Sequence, residues 1–295
     1  MTESRGEVWH SGEWDNSATI AAIEAWTVRS QTQWCAMHAE RHGAKASAVE
    51  PIADGAAFFA GHGSPLTKVS GITVWNESTA EAIVDFARRH ETAIEIDVPD
   101  VAWDVATPVL SSAGAWTSFR ESVLVRRAPD NSPPDPAALQ LYPGTTIEEC
   151  TTAETTTESA RFLGRAALAP APPSDLIYDV GRTSLALPDT RAWLIRSDEG
   201  VVATGCLSAP SSLDFGTKDA PQEWASLFGA ATALAWRRRG LQGALLEQRL
   251  GVLPAGTPTL IVTGVETASE RNAIKFGFER LYVRAVWELA LGSGG

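Results

Sequence analysis

Arg237, Arg238 and Arg239 run directly into Gly240, Leu241, Gln242, Gly243 and Ala244, where a face of Leu241, Leu245, Leu246, Leu250 and Leu253 begins. Guanidinium groups and glycines at the start of a helix suit a phosphate or pyrophosphate. The first turn offers unpaired N–H groups and the positive end of the helix dipole, and glycine lets that backbone come close. A solvated basic turn that caps a helix has the same composition, so both readings stand. The stretch has neither the G-x-G-x-x-G of a dinucleotide fold nor the G-K-[ST] of a P-loop. Proton-moving side chains lie elsewhere. His62, in Gly61-His62-Gly63-Ser64-Pro65, occupies a tight loop that either presents an imidazole as general base or is an ordinary turn. Cys35, Cys150 and Cys206 are widely spaced and odd in number, which reads as buried thiols in a reducing compartment. No metal-like cluster is evident, and no metal is expected.

The elements that must position these groups follow from periodicity and caps. A helix is predicted from Ser17 to Gly43, then strands at 48–52, 55–61 and 68–75. Next come a helix capped by Ser78, a strand at 92–98, a helix around 99–112 and a strand at 118–127. The Pro- and Asp-rich segment 128–138 reads as a linker. The order of elements then recurs. A strand near 145–149, a helix ending near 168, a Pro-rich loop, strands at 191–197 and 201–208 and a third ending at Thr232 lead to the Leu241 helix. A strand at 259–265, a short helix at 267–276 and a long final strand complete the set. Gly114, Phe119 and Val123 match Gly277, Tyr282 and Val286 in spacing, so the chain reads as two copies of one α/β unit. The expected division is 1–127, a linker at 128–143, and 144–295.

The chain of 295 residues, 44% hydrophobic and 20% charged, is long enough for two such units with full cores. Its formal charge of −12 argues against a nucleic-acid partner, because binding to a phosphate backbone needs a basic surface. Acidity concentrates in residues 1–140, with 19 acidic side chains against 10 basic, and that half also holds all five histidines. An acidic surface suits a cationic acceptor, and solubility alone explains it equally. No apolar run reaches the roughly 20 residues of a membrane span, and the N-terminal segment has no apolar core for export. The expected location is therefore the cytoplasm.

The 237–246 stretch resembles the acyl-CoA-binding motif of the GNAT acetyltransferase superfamily, R/Q-x-x-G-x-G/A followed by a Leu pair. Arg237, Gly240, Leu245 and Leu246 fit; Gln242 stands where a second glycine or alanine is usual, with Gly243 one place late. The order of elements over about 145–295 is similar to the family's as well. The resemblance implies a mixed α/β (α+β) fold class: two tandem GNAT-like units, each a mostly antiparallel mixed sheet flanked by helices, the first degenerate. It implies acetyl-CoA as cosubstrate, held by Thr232, Arg237, Arg238, Arg239, Gly240, Leu241, Gln242, Gly243 and Ala244, with Ser269 and Asn272 either touching it or capping their helix. A backbone N–H around Ser226 to Phe228 would polarise the thioester. A small-molecule primary amine would attack it directly in a ternary complex.

The family's N-x-x-A/S-x-x-x-Y-x-x-x-G-F pattern is only partly present. Counting back from Gly277-Phe278, Ser269 fits, but Ala273 occupies the tyrosine place and Glu266 the asparagine place. The catalytic candidates are then Tyr282, either a substitute acid or a half-buried strand residue, His62 and Glu266. The alternatives are a non-catalytic CoA- or amine-binding protein on this scaffold and a transferase for a larger acyl group. The oligomeric state is left open.

Overall fold

A computed structural model describes residues 16–127, 141–167, 174–209, 224–254 and 256–290. Most of the expected linker, along with Trp9 and Trp14, lies outside the described residues. The chain divides into two compact units: Met1–Arg29, Val49–Val125 and Val262–Gly295 form one, and Ser30–Ala48 and Arg126–Ile261 the other. This cut does not follow the linear halves, for a reason that lies in the final strand.

In the first unit, strands β1 (Ala48–Ile52), β2 (Gly55–Phe59), β3 (Lys68–Ser70), β4 (Ile94–Pro99), β5 (Trp116–Arg127) and β11 (Glu279–Leu289) stand in the order β1-β2-β3-β4-β11-β5. β3 and β4 are parallel; β2 with β3, and β11 with β4 and with β5, are antiparallel. The last strand of the chain therefore fills the gap between two strands of the first half. Helices α2 (Glu77–Arg89), α3 (Trp103–Ser112) and α7 (Ala268–Lys275) flank this sheet. The core is apolar, with Phe58, Phe86, Ile83, Ile94 and Ile96 at most 1% exposed.

In the second unit, β6 (Thr146–Glu149), β7 (Thr190–Ser197), β8 (Gly200–Ser208), β9 (Ala225–Thr232) and β10 (Pro258–Gly264) stand in the order β10-β9-β8-β7-β6. β9 and β10 are parallel and the other neighbours antiparallel. Helices α4 (Ala153–Ala166), α5 (Asp175–Ser184) and α6 (Leu241–Gly251) accompany them. Phe162, Leu163, Ala166, Ala192, Cys206 and Ala231 form a buried cluster under α4. The fold class thus matches the expectation in both units. The long helix α1 (Asn16–His42) runs through both: Ile20 and Ile23 are buried in its first part, and Trp34, Cys35 and His38 in its last.

Three sequence expectations differ from the structure. α2 is capped by Asn76, whose side chain accepts from the Thr79 N–H at 3.0 Å, while the Ser78 hydroxyl merely donates to the same oxygen. β3 stops at Ser70, because Gly71 turns the chain at φ 80° and Asp54 accepts from the N–H groups of Thr73 and Val74. α5 is an element the sequence reading does not contain, since nothing is assigned there between the Pro-rich loop and the strand at 191–197. Ser174 caps it, accepting from Ile177 N–H at 3.2 Å, and Gly164 lets it pack on α4: a Cβ there would sit 2.9 Å from Ser174 O.

Candidate functional site

β9 carries the short residues Gly229-Ala230-Ala231 and is irregular there. Its register on β8 shifts between the pairs Thr204 with Ala231 and Cys206 with Phe228. Gly229 sits in this bulge at φ 58°, and a Cβ on it would lie 2.9 Å from the Cys206 sulfur, so only glycine fits. On the other side, the β9–β10 ladder holds two registered pairs among the described residues, Ala225 with Thr259 and Ser226 with Leu260. β9 itself runs on to Thr232. The bulge takes Gly229 out of the β8 ladder, and a backbone group freed in this way can bond a ligand instead of a neighbouring strand.

Arg249 of α6 sits beneath this irregularity, 1% exposed. It donates to the carbonyls of Leu245 (2.9 Å), Cys206 (2.9 Å) and Phe228 (3.4 Å). Burial pulls its pKa down to about 10, so it stays charged near neutrality. Sequence reading did not single it out. Its one signal is a basic residue on the apolar stripe of α6, four places after Leu245.

From Thr232 the chain passes through a short 3-10 turn, Leu234–Trp236, to Gly240, which caps α6 at φ 79° with no side-chain cap. The first rung of the helix is Ala244 N–H to Gly240 O at 3.1 Å. The N–H groups of Leu241, Gln242 and Gly243 therefore stand ahead of the ladder as donors. A Cβ on Gly240 would meet nothing within 4 Å, so the space beside the cap is open. Gln242, in the place of the second small residue, folds away: its amide donates to Thr232 Oγ1 at 2.7 Å and ties the helix start to the end of β9. The three arginines are exposed but not equivalent. Arg237 Nε donates to Thr232 O at 3.3 Å. Arg238 takes a left-handed φ of 65°, which costs a side-chain-bearing residue about 1 kcal/mol and persists at ligand clamps. Arg239 is held over the rings of Trp236 (4.5 Å) and Tyr142 (4.9 Å). Thr232, the three arginines and residues 240–244 are thus brought together in the second unit.

The remaining candidates belong to the first unit. Ser269 is exposed and Asn272 half-buried on α7, and neither caps it. The cap is Thr267, which accepts from Glu270 N–H at 3.2 Å. Glu266 is exposed at φ 60°, its N–H donating to Glu270. His62 is exposed on its loop, edge-on to Phe59 at 5.5 Å. Tyr282 is 2% exposed, and its hydroxyl donates to Glu24 and accepts from Arg284 at 3.1 Å. Burial, aided by the Glu24 carboxylate and opposed by Arg284, holds the phenol well above its ordinary pKa. Ala273, in the tyrosine place, is buried at 1%.

The first unit's own parallel pair, β3–β4, contrasts with β9–β10. Asp97 accepts from Ser70 at 2.8 Å and pairs with Lys68 at 2.9 Å, filling that region with bound side chains. The helix that follows β3 starts with its Thr79 N–H already bound by the Asn76 side chain.

No model of a known protein family matches the sequence, and no curated protein matches it. Solved structures do. A tandem GNAT protein from the clavulanic acid biosynthesis pathway aligns over 98% of this chain and 99% of its own, at 13% identity and a TM-score of 0.59. The chain has the GNAT fold. Two GCN5-related N-acetyltransferases share it: one from Kribbella flavida at 16% identity, 93% and 96% coverage and a TM-score of 0.58, and one from Sphaerobacter thermophilus at 14%, 92% and 92%, and 0.54. Among the described residues of this GNAT fold, no helix is long and apolar enough to cross a membrane.

Proposed function

We propose that the protein is an acyl-CoA-dependent N-acyltransferase that takes its acyl group from acetyl-CoA to a small primary amine. The observation that carries this reading is the combination in the second unit of an α6 N-terminus at Gly240 with no side-chain cap, exposed arginines before it, and a β9 bulged at Gly229. These residues fit the cosubstrate. The N–H groups of Leu241, Gln242 and Gly243 and the Arg238 guanidinium would take the pyrophosphate, and the β9 backbone past Ser226 would orient the pantetheine and polarise the carbonyl. When bound, acetyl-CoA supplies an activated thioester. The protein's part is to place the amine against it and receive its proton, a role for which His62 and Glu266 remain candidates. One cosubstrate per chain is expected, because α2 is capped by Asn76 and Asp97 is occupied by Lys68 and Ser70.

A second reading, a binding protein on the same scaffold, is favoured by two facts: Ala273 is a methyl in the acid's place, and the Tyr282 proton is bound to Glu24. Calorimetry with acetyl-CoA tests the site. One equivalent should bind, and Arg238→Glu, which reverses an exposed charge, should weaken it roughly tenfold or more. Unchanged affinity in that variant, or two sites per chain, refutes the assignment. Thiol release with a panel of amines separates the two readings: turnover with any amine excludes the binding protein.

A further inference from the structure

His38 and His42 lie four residues apart near the C-terminal end of α1, a spacing that puts side chains on one face. Their Nε2 atoms converge on one carboxylate of α5. His42 Nε2 is 3.0 Å from Asp179 Oδ1, and His38 Nε2 is 3.4 Å from Asp179 Oδ2. One ligand atom from each of the three residues lies within 4.8 Å of the others. All three belong to the second unit.

The His38 ring is fixed on two sides. It stacks on Trp34 at 4.9 Å and 16°, and its Nδ1 is 2.7 Å from Ser47 Oγ. Ser47 can hold the ring in the tautomer with its proton on Nδ1, and in that tautomer the Nε2 lone pair faces a carboxylate oxygen, the arrangement that a cation between them would bind. Side-chain exposure is 9% for His38, 29% for Asp179 and 39% for His42, so the cluster is buried on one side and open to water on the other. The competing cation is Arg41, whose Nη2 lies 3.5 Å from Asp179 Oδ1 while its Nη1 donates to Arg182 O at 3.4 Å. Contacts this long on a partly exposed side chain are weak and displaceable.

We propose that His38, His42 and Asp179 form a site for a divalent transition metal of the zinc class, clamping the C-terminal end of α1 to α5. Two imidazole nitrogens and one carboxylate oxygen are a donor set that zinc accepts, with water in the fourth position on the open side. Magnesium and calcium take oxygen ligands and do not match it. Neutral imidazoles bind through Nε2, the His38 proton resides on Nδ1 toward Ser47, and Arg41 swings off the carboxylate. No electron transfer is involved. The clamp is structural and independent of the acyl-transfer reading.

Cobalt(II), titrated into the full chain carrying no histidine tag and followed by visible absorption, tests the site. One equivalent should produce a saturable tetrahedral spectrum that zinc abolishes by displacement. His42→Ala and Asp179→Asn should lose saturation, Ser47→Ala should weaken binding roughly tenfold, and Arg41→Gln should tighten it. Zinc should raise the unfolding midpoint of the parent chain and not of His42→Ala, with circular dichroism confirming that the variant is folded. A parent chain with no saturable spectrum, or a spectrum that survives in folded His42→Ala, overturns the proposal.

Discussion

A phenol can protonate a leaving thiolate only if its proton is free to depart toward the reacting sulfur. That of Tyr282 is hydrogen-bonded to Glu24, and the same Glu24 oxygen accepts from Arg284 Nε at 2.9 Å, with Thr27 accepting from Arg284 Nη2 at 3.1 Å. The sum is a buried ion pair that the phenol completes, a role of stability rather than chemistry. Tyr282→Phe should then cost about 1–2 kcal/mol of unfolding free energy and leave kcat unchanged. A general acid contributes about 10²-fold or more, so a kcat loss of that size in denaturant-checked, folded protein would restore Tyr282 as the acid. What the sequence reveals at this scale is uneven. Gly240 is readable because a helix start with arginines ahead of it has few other uses for glycine. Gln242 and Arg249 are not, because their partners, Thr232 Oγ1 and the Cys206 carbonyl, are 10 and 43 residues away along the chain.

Elements are held by groups of the same kind. α7 is short, and its attachment in the first unit depends on Glu270, which is 2% exposed. Its carboxylate accepts from Ser122 of β5 at 2.6 Å, from Arg280 of β11 and from the N–H of Glu266, whose φ of 60° begins the turn into the helix. Burial alone raises the Glu270 pKa, but the Ser122 hydroxyl, Arg280 and the Glu266 N–H outweigh it and leave the pKa below its ordinary value. A carboxylate depressed in the folded state stabilises at pH values above its unfolded pKa, and that contribution is lost as pH falls through the folded one. Urea unfolding should therefore find Glu270→Gln well below the parent at neutral pH, with the gap closing as pH drops below about 4. A gap that is the same at both ends of that range would show that the charge contributes nothing. Periodicity located most elements to within a few residues, but α5 escaped it. Its Ser174 cap follows a Pro-rich stretch that reads as loop, and its packing against Gly164 is visible only in three dimensions. The His38-x-x-x-His42 spacing was present in the sequence, yet its third member sits on that same missed helix.

At the scale of the whole molecule the decisive strand is β11. It pairs with β4 from Arg284 opposite Pro99 to Leu289 opposite Ile94, and with β5 from Glu279 opposite Val125 to Glu288 opposite Trp116. A reading along the chain assigns the final strand to the second copy, since periodicity specifies that a strand exists and not which strands it joins. Both edges of β11 are hydrogen-bonded inside the first unit, and without it β4 and β5 would each present an unpaired edge. Residues such as Ile94, Ile96 and Val123, each at most 1% exposed, would lose cover as well. A chain of residues 1–143 alone should therefore aggregate or remain unfolded, even though it contains every other strand of the first unit. Supplying residues 144–295 by co-expression should restore soluble, cooperatively unfolding protein, because that fragment brings β11. If residues 1–143 by themselves gave a soluble species with a cooperative transition at the midpoint of the full chain, the first unit would not depend on the last strand. The proline-rich join would then mark a boundary between independently folding halves.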